Sequence, residues 1–289
     1  MSVSRPLDHL VLAVRDLDAA GAFYQRLGFL VGARNRHPWG TENRIVQFDG
    51  AFLELISVGD GAEIAPHQQG VFSFGAFVRD YLSAREGFAM LVLASNDARA
   101  DKAAFDKAGI GGFAPFDFAR KAKKPDGSEV EVSFSLAFAR DPLAPQCGFF
   151  VCEQHRPENF WNKAMQAHPN GASVLAGVSM VAADPADHAE FLSAFTGIRA
   201  FSATSAGLRF DTPRGVVECL SDAAFAFEFG LAAPGAGPRL AGFTIAVREL
   251  GALAKHLDQQ SIGWVEHQGA CVIQPKDAFS VALRFVAAE

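Results

Sequence analysis

The residues with most chemical potential in this chain are acids and imidazoles set into strands. Glu54 stands in the middle of the apolar run Phe52-Leu-Glu-Leu-Ile56, where an unpaired buried carboxylate costs several kcal/mol, so a partner is expected. His9 opens a second apolar run, His9 to Val14, and Glu153 follows Phe149-Phe-Val-Cys152. A divalent metal that grips two adjacent substrate oxygens needs a few rigid protein ligands on one side and open positions on the other. Strands supply that rigidity, because alternate residues face the same side. The same groups can move a proton between neighbouring carbons. A lone His at a strand start is more often structural or solvated. The stretch His37-Pro-Trp39-Gly-Thr-Glu-Asn43 joins an aromatic ring, a glycine turn and an amide just ahead of a strand. On residue types alone it reads as a capped turn. His155 lies two residues beyond Glu153 and shares its face if the strand runs on. His67, His188, His256 and His267 read as surface groups. Cys147, Cys152, Cys219 and Cys271 show no C-x-x-C spacing, and three of them sit in apolar runs, so they read as buried thiols.

One unit positions these residues, and it recurs four times. In the first, the strand at His9 is followed by Arg-Asp-Leu-Asp, which opens a helix from Leu17 to Leu27. Gly28 stops it, and short strands end at Phe52 to Ile56. The second unit runs from Met90 to Ser95 through a helix at Phe105 to Gly148–Glu153. Its middle, 119 to 127, carries Arg120, Lys121, Lys123 and Lys124 ahead of Pro-Asp-Gly and reads as a charged hairpin turn rather than a binding patch. The third starts at Gly177 and the fourth at Gly242. Residues 59 to 86 and 223 to 238 link units within each pair and read as surface excursions.

The whole chain has 289 residues, enough for about two domains. With 26 Lys+Arg against 32 Asp+Glu, net charge −6, it has no basic field for a phosphate backbone, which excludes nucleic acid as a partner class. Apolar stretches break within about ten residues, too short to cross a bilayer. The start, Met-Ser-Val-Ser-Arg-Pro-Leu-Asp-His, lacks the apolar segment of a secretory signal, so the cytoplasm is the expected compartment. A count of 27 Phe against 2 Tyr points to cores of large rings with no hydroxyl to satisfy.

Asp8-His9 through Asp18, Phe23-Tyr24-Gln-Arg-Leu-Gly28-Phe29 and Phe52 to Ile56 together resemble the first module of the vicinal oxygen chelate superfamily and its glyoxalase-like domains. The resemblance is specific over residues 7 to 58 and carries on as an order of elements in the later units. It implies an α+β fold of four βαβββ modules forming two tandem half-barrel cups. These would be an N-terminal domain over 1–156, a connector over 157–172 and a C-terminal domain over 173–289. In that family, ligands come from a His or Gln at the start of each module's first strand and a Glu in its last. Carried over, these positions are His9 and Glu54 in the first module, and Met90, which is no ligand, and Glu153 in the second. The resemblance therefore implies a divalent metal (Zn, Ni, Mn or Fe) on His9, Glu54 and Glu153, with Glu153 also the catalytic base. Trp39, Asn43, Met90 and His155 would meet the substrate. In the second pair Gly177 and Gly242 fall on the His positions and only Glu218 is of ligand type, so that cup is expected to bind no metal. The implied activity is that of a metal-dependent lyase or isomerase on a small oxygenated substrate. The alternatives are a metal-free binding or sequestering protein of the bleomycin-resistance kind, or an extradiol-type dioxygenase, whose second His could come only from His155. Four modules in one chain make a monomer or loose homodimer the expected state.

Overall fold

Each of the first three units caps its first helical turn with an acid. The structure, a computed structural model, describes residues 4–123 and 127–288. After β1 (Leu7–Ala13), Asp16 accepts hydrogen bonds from the backbone N–H groups of Asp18 and Ala19 and starts α1 (Leu17–Arg26). Gly28, at φ 86°, takes the left-handed turn that ends it. The chain continues through β2 (Asn35–Arg36), β3 (Thr41–Gln47), β4 (Phe52–Val58) and α2 (Phe74–Ala84). The second unit comprises β5 (Gly87–Ala94), α3 (Ala98–Lys107) capped by Asp97, β6 (Phe116–Lys123), β7 (Glu129–Ala139) and β8 (Gly148–Gln154). Arg120 and Lys121 belong to β6 rather than to a turn, and residues 124–126 of the expected turn lie outside the described residues. The short α4 (Pro157–Phe160) then leads to the second half.

That half repeats the order. It contains β9 (Ala172–Val181), α5 (Ala189–Thr196) behind a 3-10 turn capped by Asp184, β10 (Ser202–Thr204), β11 (Gly207–Asp211), β12 (Val216–Leu220) and α6 (Asp222–Phe229). It closes with β13 (Arg239–Val247), α7 (Leu250–Gln259), β14 (Val265–His267), β15 (Ala270–Ile273) and β16 (Ala282–Ala287). Among the described residues no helix is long and apolar enough to cross a membrane.

The strands form two eight-stranded sheets of identical order, β2-β3-β4-β1-β5-β8-β7-β6 and β10-β11-β12-β9-β13-β16-β15-β14. In each, two modules meet through an antiparallel central pair flanked by parallel neighbours, and the sheet curls into a half-barrel cup. Alternation splits the side chains. Leu10, Leu12, Leu53, Leu55, Leu91 and Leu93 face the convex side and share one buried cluster with Val178, Met180, Phe243 and Ile245 of the other sheet. Phe105 against Phe195 and Phe149 against Phe191 knit helices into that seam. Val11, Ala13, Met90, Val92 and Phe150 face the concave side.

The linkers between modules are not surface excursions. In α2, Phe74, Val78 and Tyr81 recur at helical spacing and pack into the first cup. Phe225 and Phe229 of α6 do the same in the second. His188 is likewise no surface group: it is 2% exposed and its Nδ1 lies 2.6 Å from Asp141 Oδ2. The preference for Phe has a visible cause, since the Tyr24 hydroxyl is buried without a hydrogen-bond partner and burial pushes its pKa up.

Candidate functional site

In the first cup the parallel pairing of β1 with β4 sets His9 opposite Phe52 and Val11 opposite Glu54, so His9 and Glu54 project into the same concavity. His9 stacks on Phe52, with ring centroids 4.2 Å apart, and meets the edge of Phe150. Its Nδ1 lies 2.5 Å from Asp8 Oδ1, and Asp8 Oδ2 accepts from Gln154 Nε2 at 3.1 Å. Asp8 therefore holds the proton on Nδ1 and turns the Nε2 lone pair inward. That nitrogen faces Glu54 Oε2 across 3.9 Å.

The other carboxylate oxygen is committed. Glu54 Oε1 accepts from Asn43 Nδ2 at 2.5 Å, and Asn35 Nδ2 donates to Asn43 Oδ1 at 3.1 Å, which fixes the orientation of the Asn43 amide. The second Asn43 N–H points at His37 Nε2, 3.3 Å away, while His37 Nδ1 bonds Thr41 Oγ1 and the ring stacks on Trp39. Burial lowers the pKa of His37, opposed by Glu54 and reinforced by Arg120. With Nε2 accepting from Asn43, His37 is a neutral brace for Glu54.

These groups sit at the base of a narrow cavity whose walls are Phe52, Phe74, Phe118, Phe134, Phe150 and Phe160. Trp39 packs against Phe116 and Phe118 at 5.3 and 5.1 Å, so the loop from one edge of the sheet meets the strand at the other edge and roofs the cup. Arg120 completes the lining.

Of the residues expected at the site, His9, Glu54, Trp39 and Asn43 come together here. Glu153 does not join them. Phe150 and Cys152 face the cavity and Phe149 and Val151 face the convex side, so alternation sends Glu153 outward, where its Oε2 accepts from the N–H of Ala98 at the start of α3. The register gives the reason. Val11 pairs with Glu54 in the first module and Val92 pairs with Phe150 in the second, so the counterpart of Glu54 is Phe150. Met90 is the counterpart of His9, but it is wholly buried in the apolar floor beside Gly148 and does not line the cavity. His155 stays at the outer edge, bonded to Ser135 and 3.5 Å from Glu153. The sequence reading missed Arg120, and within the stretch from His37 to Asn43 it picked Trp39 and Asn43 but not His37. Alternation was the available signal for Arg120, because Phe116, Phe118 and Arg120 occupy every second position of β6.

A divalent cation is the group the sequence implied. Among the described residues no cluster of three or more His, Cys, Asp and Glu side chains has the spacing to hold one. The two atoms that could hold such an ion are His9 Nε2 and Glu54 Oε2, 3.9 Å apart, with the Asp8 carboxylate behind His9.

The second cup is built from different residues. Gly177 and Gly242 occupy the imidazole positions, and a Cβ on Gly242 would lie 3.0 Å from Phe229 Cε1, so α6 rests where a ligand would project. Glu218 pairs with Arg209, while burial raises its pKa against that pairing. Arg284, at the position matching Phe150, pairs with Glu228.

The family described as "Glyoxalase-like domain" matches the chain over residues 7–196. No curated protein matches it. Among solved structures, a hypothetical protein from Staphylococcus aureus superposes with a TM-score of 0.69 at 11% identity, covering 98% of this chain and 100% of that one. A triple mutant of 4-hydroxymandelate synthase from Streptomyces coelicolor gives 0.62 at 11% identity, over 99% and 94% of the two chains. The Mn(II)-bound glyoxalase from Novosphingobium aromaticivorans gives 0.54 at 12% identity, over 98% and 82%. At such identities these likenesses speak for the fold alone.

Proposed function

The chain belongs to the glyoxalase-like domain family of the vicinal oxygen chelate superfamily, and from that premise we propose that its N-terminal cup is the active site of a metal-assisted lyase or isomerase acting on a small oxygenated molecule. One observation carries the reading. His9 Nε2 and Glu54 Oε2 face each other across 3.9 Å in a buried cavity, too far apart for a hydrogen bond between them. A cation or a substrate hydroxyl between them would bridge the gap. His9 and Glu54 would hold Zn, Ni, Mn or Fe, and the bound ion supplies polarisation of a carbonyl or of two vicinal oxygens.

The remaining work belongs to the chain. Asp8 keeps His9 in the tautomer with Nε2 unprotonated. Asn43 occupies Glu54 Oε1 and leaves Oε2 as the free oxygen, which would hold the ion or, when released from it, take a proton from one substrate carbon and return it to the next. His37, kept neutral, adds no charge that would neutralise Glu54. The phenylalanine walls surround these groups with apolar surface, which strengthens each of these interactions. Glu153 has no part in this scheme. A dioxygenase arrangement of two imidazoles and one carboxylate is not favoured, since Met90 stands at the second imidazole position and His37 Nε2 is engaged by Asn43.

A second reading, a metal-free small-molecule binding cup, draws on one observation: both module-two ligand positions, Met90 and Phe150, are apolar. Elemental analysis of tag-free protein separates the two, run beside His9→Ala and Glu54→Ala. About one equivalent of metal, lost in both variants, supports the metal-assisted reading. No uptake after reconstitution with Zn²⁺, Ni²⁺, Mn²⁺ and Fe²⁺ overturns it and leaves the binding cup.

A further inference from the structure

We propose that the cavity takes an organic anion, a small carboxylate whose charged end pairs with Arg120 while its oxygenated carbons lie against His9 and Glu54. This assignment of substrate class rests on the reading of the first cup as the functional site. The argument begins with where Arg120 stands. It is on β6, the outermost strand of the sheet, two residues beyond Phe118, and it lines the aromatic cavity on one side. On the other side it lines an adjoining polar cleft, with Gln47, Asn159, Asn162 and Lys163. It is the cation at the junction of the two spaces.

Its charge is not spoken for. Among the described residues the guanidinium makes no hydrogen bond or ion pair, whereas Arg34, Arg44 and Arg99 on the surface each grip a carboxylate. Glu54, the obvious partner, is held by Asn43 and faces His9 instead. Burial lowers the pKa of Arg120, and the field of Glu54 only partly offsets it. A part-buried, unpaired guanidinium is a costly arrangement that a ligand can relieve. A carboxylate matches its planar fork with two parallel hydrogen bonds, which a neutral amide cannot do. Arg120 and the His9–Glu54 pair line one cavity whose remaining walls are aromatic, so the rest of the molecule is a short hydrocarbon or aryl body with a charged end and an oxygenated one.

The test uses the full-length, tag-free protein and isothermal titration with sodium acetate, benzoate and phenylacetate, each beside its neutral amide, at constant ionic strength. At least one carboxylate is expected to bind roughly 30-fold or more tightly than its amide, the range for one member of a desolvated charge pair. Arg120→Gln should lose that preference and Arg120→Lys should keep part of it, while metal uptake stays as in the parent. His9→Ala should lose metal uptake and keep the preference for carboxylates. Equal binding of acids and amides, carboxylate binding unchanged in Arg120→Gln, or no carboxylate bound at millimolar concentration would each overturn the proposal. The acid-to-amide comparison on the parent protein stands even if both Arg120 variants misfold. A protein that takes up no metal but prefers carboxylates would sink the metal-assisted reading and leave Arg120 in its role.

Discussion

Removing the Asp8 carboxylate tests whether His9 is a set piece of a site or only a buried ring. In the native protein Asp8 is 2% exposed, one oxygen takes the His9 Nδ1 proton at 2.5 Å and the other accepts from Gln154 Nε2 at 3.1 Å. Asp8→Ala deletes a hydrogen bond to a charged group, worth about 1.5–3 kcal/mol, and strands buried donors on His9 and Gln154 at a further cost of about 1–3 kcal/mol. A loss of about 3 kcal/mol or more in unfolding free energy is expected. Asp8→Asn should be far milder. The amide oxygen can still accept from His9, and its N–H₂ can donate to Gln154 once that side chain flips, because Gln154 Oε1 is buried with no partner. The cost falls to the difference between a charged and a neutral bond, about 1 kcal/mol. Function should follow the same order. Without a carboxylate on Nδ1, the His9 proton is free to move to Nε2 and point at Glu54, closing the gap between them, and metal affinity should drop about 10–100-fold in Asp8→Ala. Urea unfolding and metal titration on the parent and both variants measure the two quantities. If Asp8→Ala lies within about 0.5 kcal/mol of the parent and binds metal equally well, the account of His9 is wrong.

Three further outcomes follow from other parts of the molecule. Glu153→Ala should cost about 1 kcal/mol by removing the acceptor at the start of α3, with metal content and carboxylate binding unchanged; a loss of metal would return Glu153 to the site. Burial lowers the pKa values of His37 and His168 below their ordinary 6.5, so the unfolded chain protonates first as pH falls. Their contribution to stability is full above about pH 6.5 and is lost below it, and the urea midpoint should drop between pH 7.5 and 5.5, less so in His168→Gln; a flat or rising midpoint contradicts this. Gly242→Ala should destabilise by about 1–3 kcal/mol, because its Cβ would lie 2.9 Å from the Ala282 carbonyl oxygen and 3.0 Å from Phe229, and a neutral result would mean that α6 is not seated on the strand as described.

What the sequence revealed depended on whether the deciding interaction was local. Asp16 and Gly28 bracket α1 because capping and a left-handed stop need only their own neighbours. Glu54 was legible because one acid in an apolar strand breaks the pattern by itself. Glu153 was not, since β8 is apolar on both faces around Phe149 and Phe150 and no alternation marks which way the acid points. Only its pairing with β5 sets the face, and that pairing spans residues far apart in the chain. The helix α2 had a signal, Phe74, Val78 and Tyr81 at helical spacing, hidden within a stretch read as a linker between units. Arg120 was obscured by the lysines beside it, which made a cavity residue look like part of a charged turn.

Strand length separates the two like cups. In the first, β6 and β7 run 8 and 11 residues, long enough to arch over the concavity and meet Trp39 from the far edge. Their counterparts β14 and β15 have 3 and 4 residues, and the second cup has no such aromatic roof among the described residues. The second cup still bears on the first. Arg214, in the turn between β11 and β12, donates through Nε and Nη2 to the Leu7 carbonyl oxygen at 2.9 and 2.7 Å, and its own carbonyl accepts from the Leu7 N–H. That clamp holds the residue immediately before Asp8. The start of β1 is thereby fixed by the C-terminal half, and with it the carboxylate that orients His9, so the second cup contributes to the site through backbone position rather than through ligands.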